Sequence, residues 1–266
     1  MPKDLIKAFS KISAAEIAKF GERKRGIVDV QDYLKRFGYF QSLTFNSGEI
    51  DNSTSNALRI FQEWNKLPVT GEFDSMTKSE MIKPRCGLPD MRNGVAFATV
   101  CAWDQIPLTL TFAFDNDTND IVGQGEFQAV RNAFITWSAA FPFFTFTEVA
   151  LTANPNIVID WRNANDPDHT MVGPTIAHAD FPIGCGVVTN TFPRPIHFDD
   201  SEHAWSIGAV INAMDVESVA LHEIGHILGL AHSNVAGAVM STSISPNSTK
   251  RILQEDDKRG ISSLYE

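Results

Sequence analysis

The stretch VALHEIGHILGLAH, residues 219–232, carries the densest chemistry in the chain. His222 and His226 are four apart, so on a helix their imidazoles project from one face, about one turn from each other. Two imidazoles placed in this way can bind one Zn²⁺, and Glu223, beside the first, lies within reach of a water on that metal. Gly229 can take the left-handed conformation that ends a helix, turning the chain back so that His232 becomes a third ligand. Three protein ligands leave a fourth position open, the arrangement of a catalytic rather than a structural zinc. Core histidines satisfied by hydrogen bonds are common singly; three at this spacing around a glycine are not.

A second loaded stretch is PRCGLPD, residues 84–90, which sets Cys86 between two prolines and a glycine with Arg85 and Asp90 beside it. The other cysteines are Cys101 and Cys185, so the three thiols cannot all pair among themselves. A disulfide partner, a metal ligand and a nucleophile are all open readings of Cys86. Cys101 and Cys185 either form a disulfide, which suits an oxidising compartment, or stay two buried thiols.

The elements that must position these groups come in two styles. Residues 1–26 read as an amphipathic helical lead segment, with Leu5, Ile6, Phe9, Ile12, Ile17 and Phe20 near helical spacing. This segment has no unbroken apolar run of signal-peptide length, so the export route stays open. Residues 27–83 read as a small three-helix module. Val28, Val30, Leu34 and Phe37 share a face of the first helix, which Gly38 ends, and Ser53 or Thr54 caps the second, which runs through Trp64. The third helix stops before Pro84, and residues 84–98 form a linking segment. From residue 99 to 266, strands at IPLTLTFAF, FTFTEV, NIVIDW, TIAHAD and PIHFDD mix with three helices: GQGEFQAVRNAFITWSAA, one from about Val216, and one at LQEDDKRGISSLYE. Phe127, Val130, Phe134 and Trp137 mark the buried side of the first of these. Strands and helices without regular alternation predict an α+β fold. The chain shows no internal repeat and no low-complexity run.

Composition narrows the partners. The net charge of −10 is uneven, +2 over residues 1–90 and −12 over residues 91–266. An acidic second part argues against nucleic acid and anionic membranes, and no segment approaches a membrane span. Its carboxylates are available to metal cations or form a solvated face.

Over nearly all of residues 27–266 the sequence resembles the metzincins and, within them, the matrixins (matrix metalloproteinases). HExxHxxGxxH is met by His222, Glu223, His226, Gly229 and His232, and Ser233 follows. Met240 in GAVMSTS stands where the family has its Met-turn, and HFDDSEHAW and LQEDDKRGISSLYE are also matrixin-like. The spacing of Leu34, Gly38, Tyr39, Phe61, Gln62, Thr70, Gly71 and Asp74 resembles the peptidoglycan-binding-like domain. The resemblance implies a small three-helix prodomain followed by a metzincin catalytic domain with a twisted mixed sheet, long helices, an active-site helix and a Met-turn. It implies a latent zinc-dependent metalloendopeptidase acting on proteins or peptides, in which Glu223 activates the zinc water. Cys86 would occupy the fourth zinc position as a cysteine switch, braced by an Arg85–Asp90 pair, until the prodomain is removed. The enzyme would be a secreted monomer with no nucleic-acid partner.

The same resemblance implies further ions. A structural zinc would be held by His178 and His197, which match the family motif, and by Asp168 and His169; NANDPDHTMVGP departs from the usual His-x-Asp order, and Asp166 is the other carboxylate available there. Ca²⁺ would be held by Asp199, Asp200 and Glu202, although Val172 and Pro195 stand where the family usually has carboxylates. His203 matches no ligand position and reads as surface. Substrate would lie extended along the edge strand at Thr175–Ala179, and a small Ser218 would leave room for a leucine after the cleaved bond. A second reading makes residues 27–83 a cell-wall module that binds peptidoglycan, coupled to a secondary protease.

Overall fold

The computed structural model describes residues 10–42, 44–92, 94–96, 99–106 and 108–266, and the chain divides into two compact units. One holds residues 6–83 and 89–97, the other residues 84–88 and 98–266. The first unit is helical: α1 (Ser10–Ser13), α2 (Ile27–Arg36), α3 (Asn52–Trp64) and α4 (Ser75–Met81), with a short hairpin of Met91–Arg92 against Val95–Ala96. Its core gathers Ile27, Val30, Leu34, Phe37, Tyr39, Leu58, Phe61 and Phe73. Val28 is 47% exposed, so the buried stripe of α2 starts at Ile27 instead.

The lead segment departs from the helix expected of it; Leu5, Ile6 and Phe9 lie outside the described residues. After Ser13 the chain runs irregularly, bridging Ala18 to Phe73 and Arg23 to Glu49, while Ile17 and Phe20 are exposed. Backbone partners distant in sequence replace the local helical bonds that the periodicity suggested. The second helix is capped by Asp51, whose carboxylate accepts from Thr54 N at 2.8 Å; Ser53 and Thr54 sit inside it.

The unit also contains a repeat that the linear sequence hides. Gln31 Nε2 donates to Glu49 O and Thr54 Oγ1, and Gln31 Oε1 accepts from Gly48 N. Gln62 Nε2 donates to Glu72 O and Thr77 Oγ1, and Gln62 Oε1 accepts from Gly71 N. Gly48-Glu49-Ile50-Asp51 before Thr54 and Gly71-Glu72-Phe73-Asp74 before Thr77 are two copies of one clasp. Each Asp caps the helix that contains its Thr, and each clasp closes on a glutamine of the preceding helix.

The second unit is built on a six-stranded sheet. Its strands are β1 (Arg85–Cys86), β2 (Leu108–Phe114), β3 (Phe144–Glu148), β4 (Ile157–Arg162), β5 (Thr175–Ala179) and β6 (Arg194–Asp199). The order is β1-β5-β6-β4-β2-β3, parallel except for the antiparallel pair β5–β6. Helices α5 (Gly125–Ala140) and α6 (Val216–Ile227) share a core with Phe112, Ile159, Ile196 and Phe198 of the sheet. Trp137 of α5 is fully buried, and its indole donates to Leu221 O of α6 at 3.0 Å. Phe127 is only partly buried and stacks on Phe114, while Glu126, Ala129 and Ala133 complete the buried face. The last helix, α7 (Glu255–Tyr265), opens with a capping box between Gln254 and Asp257. The fold is α+β, and among the described residues no helix is long and apolar enough to cross a membrane.

Cys101 and Cys185 form a disulfide, which settles the choice that the sequence left open. It joins the segment before β2 to the loop between β5 and β6. That loop is also held by Asp180, which pairs with Arg194 at 2.7 Å with both side chains fully buried. Asp180 accepts from the amides of Val187, Val188 and Thr189 as well.

Candidate metal centre and its surroundings

Helix α6 is fixed at both ends by groups with signals in the sequence. Asp215 caps it, accepting from Ser218 N at 3.1 Å and from Arg251 Nε at 2.8 Å. At the far end Gly229 has φ 97°, and a Cβ there would meet Cys101 O at 1.9 Å, so the turn requires glycine on both counts. After it the chain reverses and brings His232 back. The ring centroids of His222, His226 and His232 are 4.7–5.2 Å apart.

The imidazoles are oriented from behind. His222 Nδ1 lies 2.8 Å from Val239 O and His226 Nδ1 lies 2.7 Å from Leu230 O, which directs both Nε2 atoms to a common point, 3.0 Å apart. Burial, reinforced by the neighbouring rings, pushes His222 and His226 well below the usual histidine range. Neutral imidazoles with converging lone pairs are the donors that Zn²⁺ takes.

Cys86 comes to the same point. Strand β1 runs parallel to β5, with Cys86 N donating to Thr242 O and Gly87 N to Ala177 O. Its Sγ lies 3.4 Å from His226 Nε2 and 3.7 Å from Glu223 Oε2. One donor atom from each of Cys86, His222, His226 and His232 lies within 4.8 Å of the other three, and all four residues are buried. Burial, then the Glu223 carboxylate, pushes the Cys86 thiol up, so a cation is needed to make a thiolate there. Burial raises Glu223 to about 8, and its Oε1 has no hydrogen-bond partner.

Met240 lies under the helix. A Cβ on Gly225 would meet its sulfur at 2.3 Å, so glycine between the two zinc-motif histidines makes room for the thioether. The turn that carries Met240 hangs on Asp257, which accepts from Val239 N at 3.0 Å and Met240 N at 2.9 Å. Sequence reasoning passed over Asp257 and Asp215. Their signals were a Gln three residues before Asp257 and a Ser three residues after Asp215, the spacings of helix caps.

A second donor cluster comprises Asp166, His178 and His197. His178 and His197 face each other across the β5–β6 pair, and Asp166 Oδ2 lies 3.0 Å from His178 Nε2 and 2.6 Å from His197 Nδ1. Against a burial that would raise it, the two histidines hold the Asp166 carboxyl well below the usual range, and burial lowers His178 to about 4. Asp168, expected in this place, stands at its edge, with Oδ2 4.0 Å from His197 Nδ1 against 2.6 Å for Asp166 Oδ2. Its amide binds Asp166 Oδ1, its side chain is 50% exposed, and its carboxylate meets Arg162 at 3.4 Å. The His169 ring meets that of His178 edge to face at 5.2 Å, but its Nε2 is engaged with Gly87 O at 2.9 Å, outside the cluster.

The expected calcium residues are engaged separately. Asp199 accepts from Ser201 and from Glu202 N, Asp200 from Thr118 Oγ1, and Glu202 from Gly173 N. Among the described residues only the two clusters above bring three or more such donors together. His203, expected at the surface, is fully buried 3.8 Å from Asp199. Arg85 donates to Cys86 O and Leu88 O, and Asp90 accepts from the hydroxyl of Tyr39.

Comparison with known proteins adds a lineage to this geometry. Residues 102–266 match the matrixin peptidase family and residues 23–81 match the putative peptidoglycan binding domain family. Metalloendoproteinase 5-MMP of Arabidopsis thaliana is 32% identical over 97% of this chain and 75% of its own length. Metalloendoproteinase 1 of Glycine max is 31% identical over 92% of this chain and 83% of its own. Matrix metalloproteinase-19 of Homo sapiens is 33% identical over 91% of this chain and 47% of its own.

Proposed function

Because the chain belongs to the matrixin family of zinc metalloendopeptidases, we propose that it is a latent form of such an enzyme, with His222, His226 and His232 as catalytic zinc ligands and Cys86 as the inhibitory fourth. The observation that carries this reading is the convergence of those four donor atoms, all buried, on one point. Zn²⁺ held there would act as a Lewis acid and stabilise the negative charge that develops on the scissile carbonyl oxygen. The chain's own residues do the rest. Glu223, buried and with one oxygen unengaged, takes the proton of the attacking water and returns it to the leaving amine. Strand β5 offers its edge to an extended substrate, and β1 holds that edge in the latent state, so substrate and switch compete for the same backbone groups.

Several finer assignments accompany it. A structural zinc would rest on Asp166, His178 and His197. Ca²⁺ at Asp199, Asp200 and Glu202 has the least geometric support, and metal analysis of the pure protein tests it. Secretion is supported by the disulfide, which belongs in an oxidising compartment.

A quenched peptide assay on the full chain, before and after an organomercurial captures Cys86, tests the central claim. Activity that appears only after capture, and is absent in Glu223→Ala and with a chelator, is the expected result; full activity beforehand would remove the switch. The match of residues 23–81 to a peptidoglycan binding family favours a second role in wall attachment, for which sedimentation with insoluble peptidoglycan is the test.

A further inference from the structure

Beside Cys86 and Glu223 lies a small cavity of about 10 Å³, room for about one water molecule. Ile176, Val219, Val239 and Ile244 give it an apolar lining, and Ser218 and Lys250 give it a polar one. Ser218 is not simply a small residue leaving space. Its hydroxyl donates to Asp215 Oδ2 at 2.5 Å and accepts from Lys250 N at 2.7 Å, which clamps the backbone of residue 250 to the first turn of α6. That clamp turns the Lys250 side chain into the cavity wall.

The amine is partly buried, and among the described residues it has no ion-pair partner. Lys250 Nζ donates to Ser241 Oγ and, at 2.9 Å, to Ser243 O. An ammonium has three donors, so one remains, and among the described residues no carboxylate lies within 4.0 Å of it. The nearest acidic influence is Asp257, whose oxygens already serve three backbone amides. Burial lowers the amine to about 8, which leaves it mostly charged at neutral pH. A cation that lines a cavity with a spare donor and no counter-charge is arranged to receive an anion.

Resting on the peptidase reading, we propose that Lys250 determines specificity for the substrate side chain after the cleaved bond, and that this pocket selects a side chain ending in a carboxylate, glutamate first, in place of the leucine suggested by Ser218 alone. Cys86 is part of this lining, so its withdrawal on switch release opens the space beyond a single water; the apolar residues then take the methylenes, and the carboxylate meets Nζ in a charge-assisted hydrogen bond. A site built to bind a polar group discriminates strongly against an analogue that lacks it, because its own buried donor is then left unpaired.

The test uses the full chain after release of the switch and three peptides that differ only in that residue: Glu, Gln or Leu. The expected kcat/KM for Glu exceeds that for Leu by about tenfold or more, with Gln between. In Lys250→Met the order inverts, and in Lys250→Arg the preference for Glu is retained. A preference for Leu in the parent, or an unchanged Glu-to-Leu ratio in a folded Lys250→Met, overturns the assignment; the parent ratio decides even if the variant does not fold. If none of the peptides and no denatured protein is cut, the peptidase reading itself fails and takes this assignment with it.

Discussion

The two donor clusters are made of the same kinds of side chain, yet they are assembled by different means. His222, His226 and His232 come from one helix and the turn that follows it, so their meeting depends on local geometry over eleven residues. Asp166, His178 and His197 come from a loop and two paired strands, and they meet because β5 and β6 adopt one register. A helical site is specified by spacing, whereas a sheet site is specified by pairing that spacing does not record. Beside the first cluster stands Glu223, a buried carboxylate whose Oε1 has no hydrogen-bond partner. On the proposed reading, chemistry belongs to the first cluster and the second acts as a cross-link.

The largest effect should therefore follow from a change that leaves the first cluster's geometry intact and removes its proton acceptor. Glu223→Gln is expected to lower kcat by about 10²–10⁴-fold after switch release, with zinc content unchanged. Loss of zinc together with activity would make Glu223 a structural residue and erase the contrast between the clusters.

Next in size is a change at the second cluster. Asp166→Ala strips a buried carboxylate from two buried histidines and should cost about 1–3 kcal/mol, and on the proposed structural-zinc reading it removes one bound ion per chain. Asp168→Ala, at a half-exposed side chain, should cost under about 0.5 kcal/mol and leave the metal content unchanged. Equal effects of the two substitutions in thermal melts and metal analysis would return the ligand role to Asp168.

A smaller effect is expected where the first cluster meets its support. Asp257→Ala leaves the amides of Val239 and Met240 without their acceptor and should cost about 1–3 kcal/mol. Because Val239 O orients His222, zinc affinity should fall as well, which a competition titration with a chelator reads directly. Unchanged zinc affinity in the variant would separate the Met-turn from the metal.

These contrasts follow what could be read from the residues alone. The helix that carries His222 and His226 and nearly every strand of the sheet were visible because each is encoded within a short window. The order of residues in the loop does not say whether Asp166 or Asp168 lies nearer the two histidines. An Asx-type bond from Asp168 N to Asp166 decides that, and it appears only in three dimensions. Lys250 gave no signal at all, since its place in a pocket wall depends on a clamp to Ser218, thirty-two residues earlier. The clasps of Gln31 and Gln62 escaped for a related reason. Their loops differ in length, with 17 residues from Gln31 to Gly48 and 9 from Gln62 to Gly71, so no fixed period relates the two copies.

The smallest expected effect concerns the cap of the active helix, and it depends on pH. Burial works to raise Asp215, but hydrogen bonds from Arg251, Ser218 and Gly208 outweigh it and hold the carboxyl below its ordinary range. A carboxyl depressed in the folded state contributes stability that is fully present above its unfolded value, near about 4, and is lost as pH falls through the folded value. Asp215→Asn keeps a capping oxygen but cannot carry the charge that Arg251 grips, so it should cost about 1 kcal/mol at pH 7. The gap between parent and variant should close as pH drops below about 4, because the parent then loses the same charge. Denaturant midpoints of both proteins from pH 7 to pH 3 measure this. A gap that stays constant would show that Asp215 holds α6 through hydrogen-bond geometry alone, and the sign of its depressed pKa would then have no bearing on the stability of the catalytic helix.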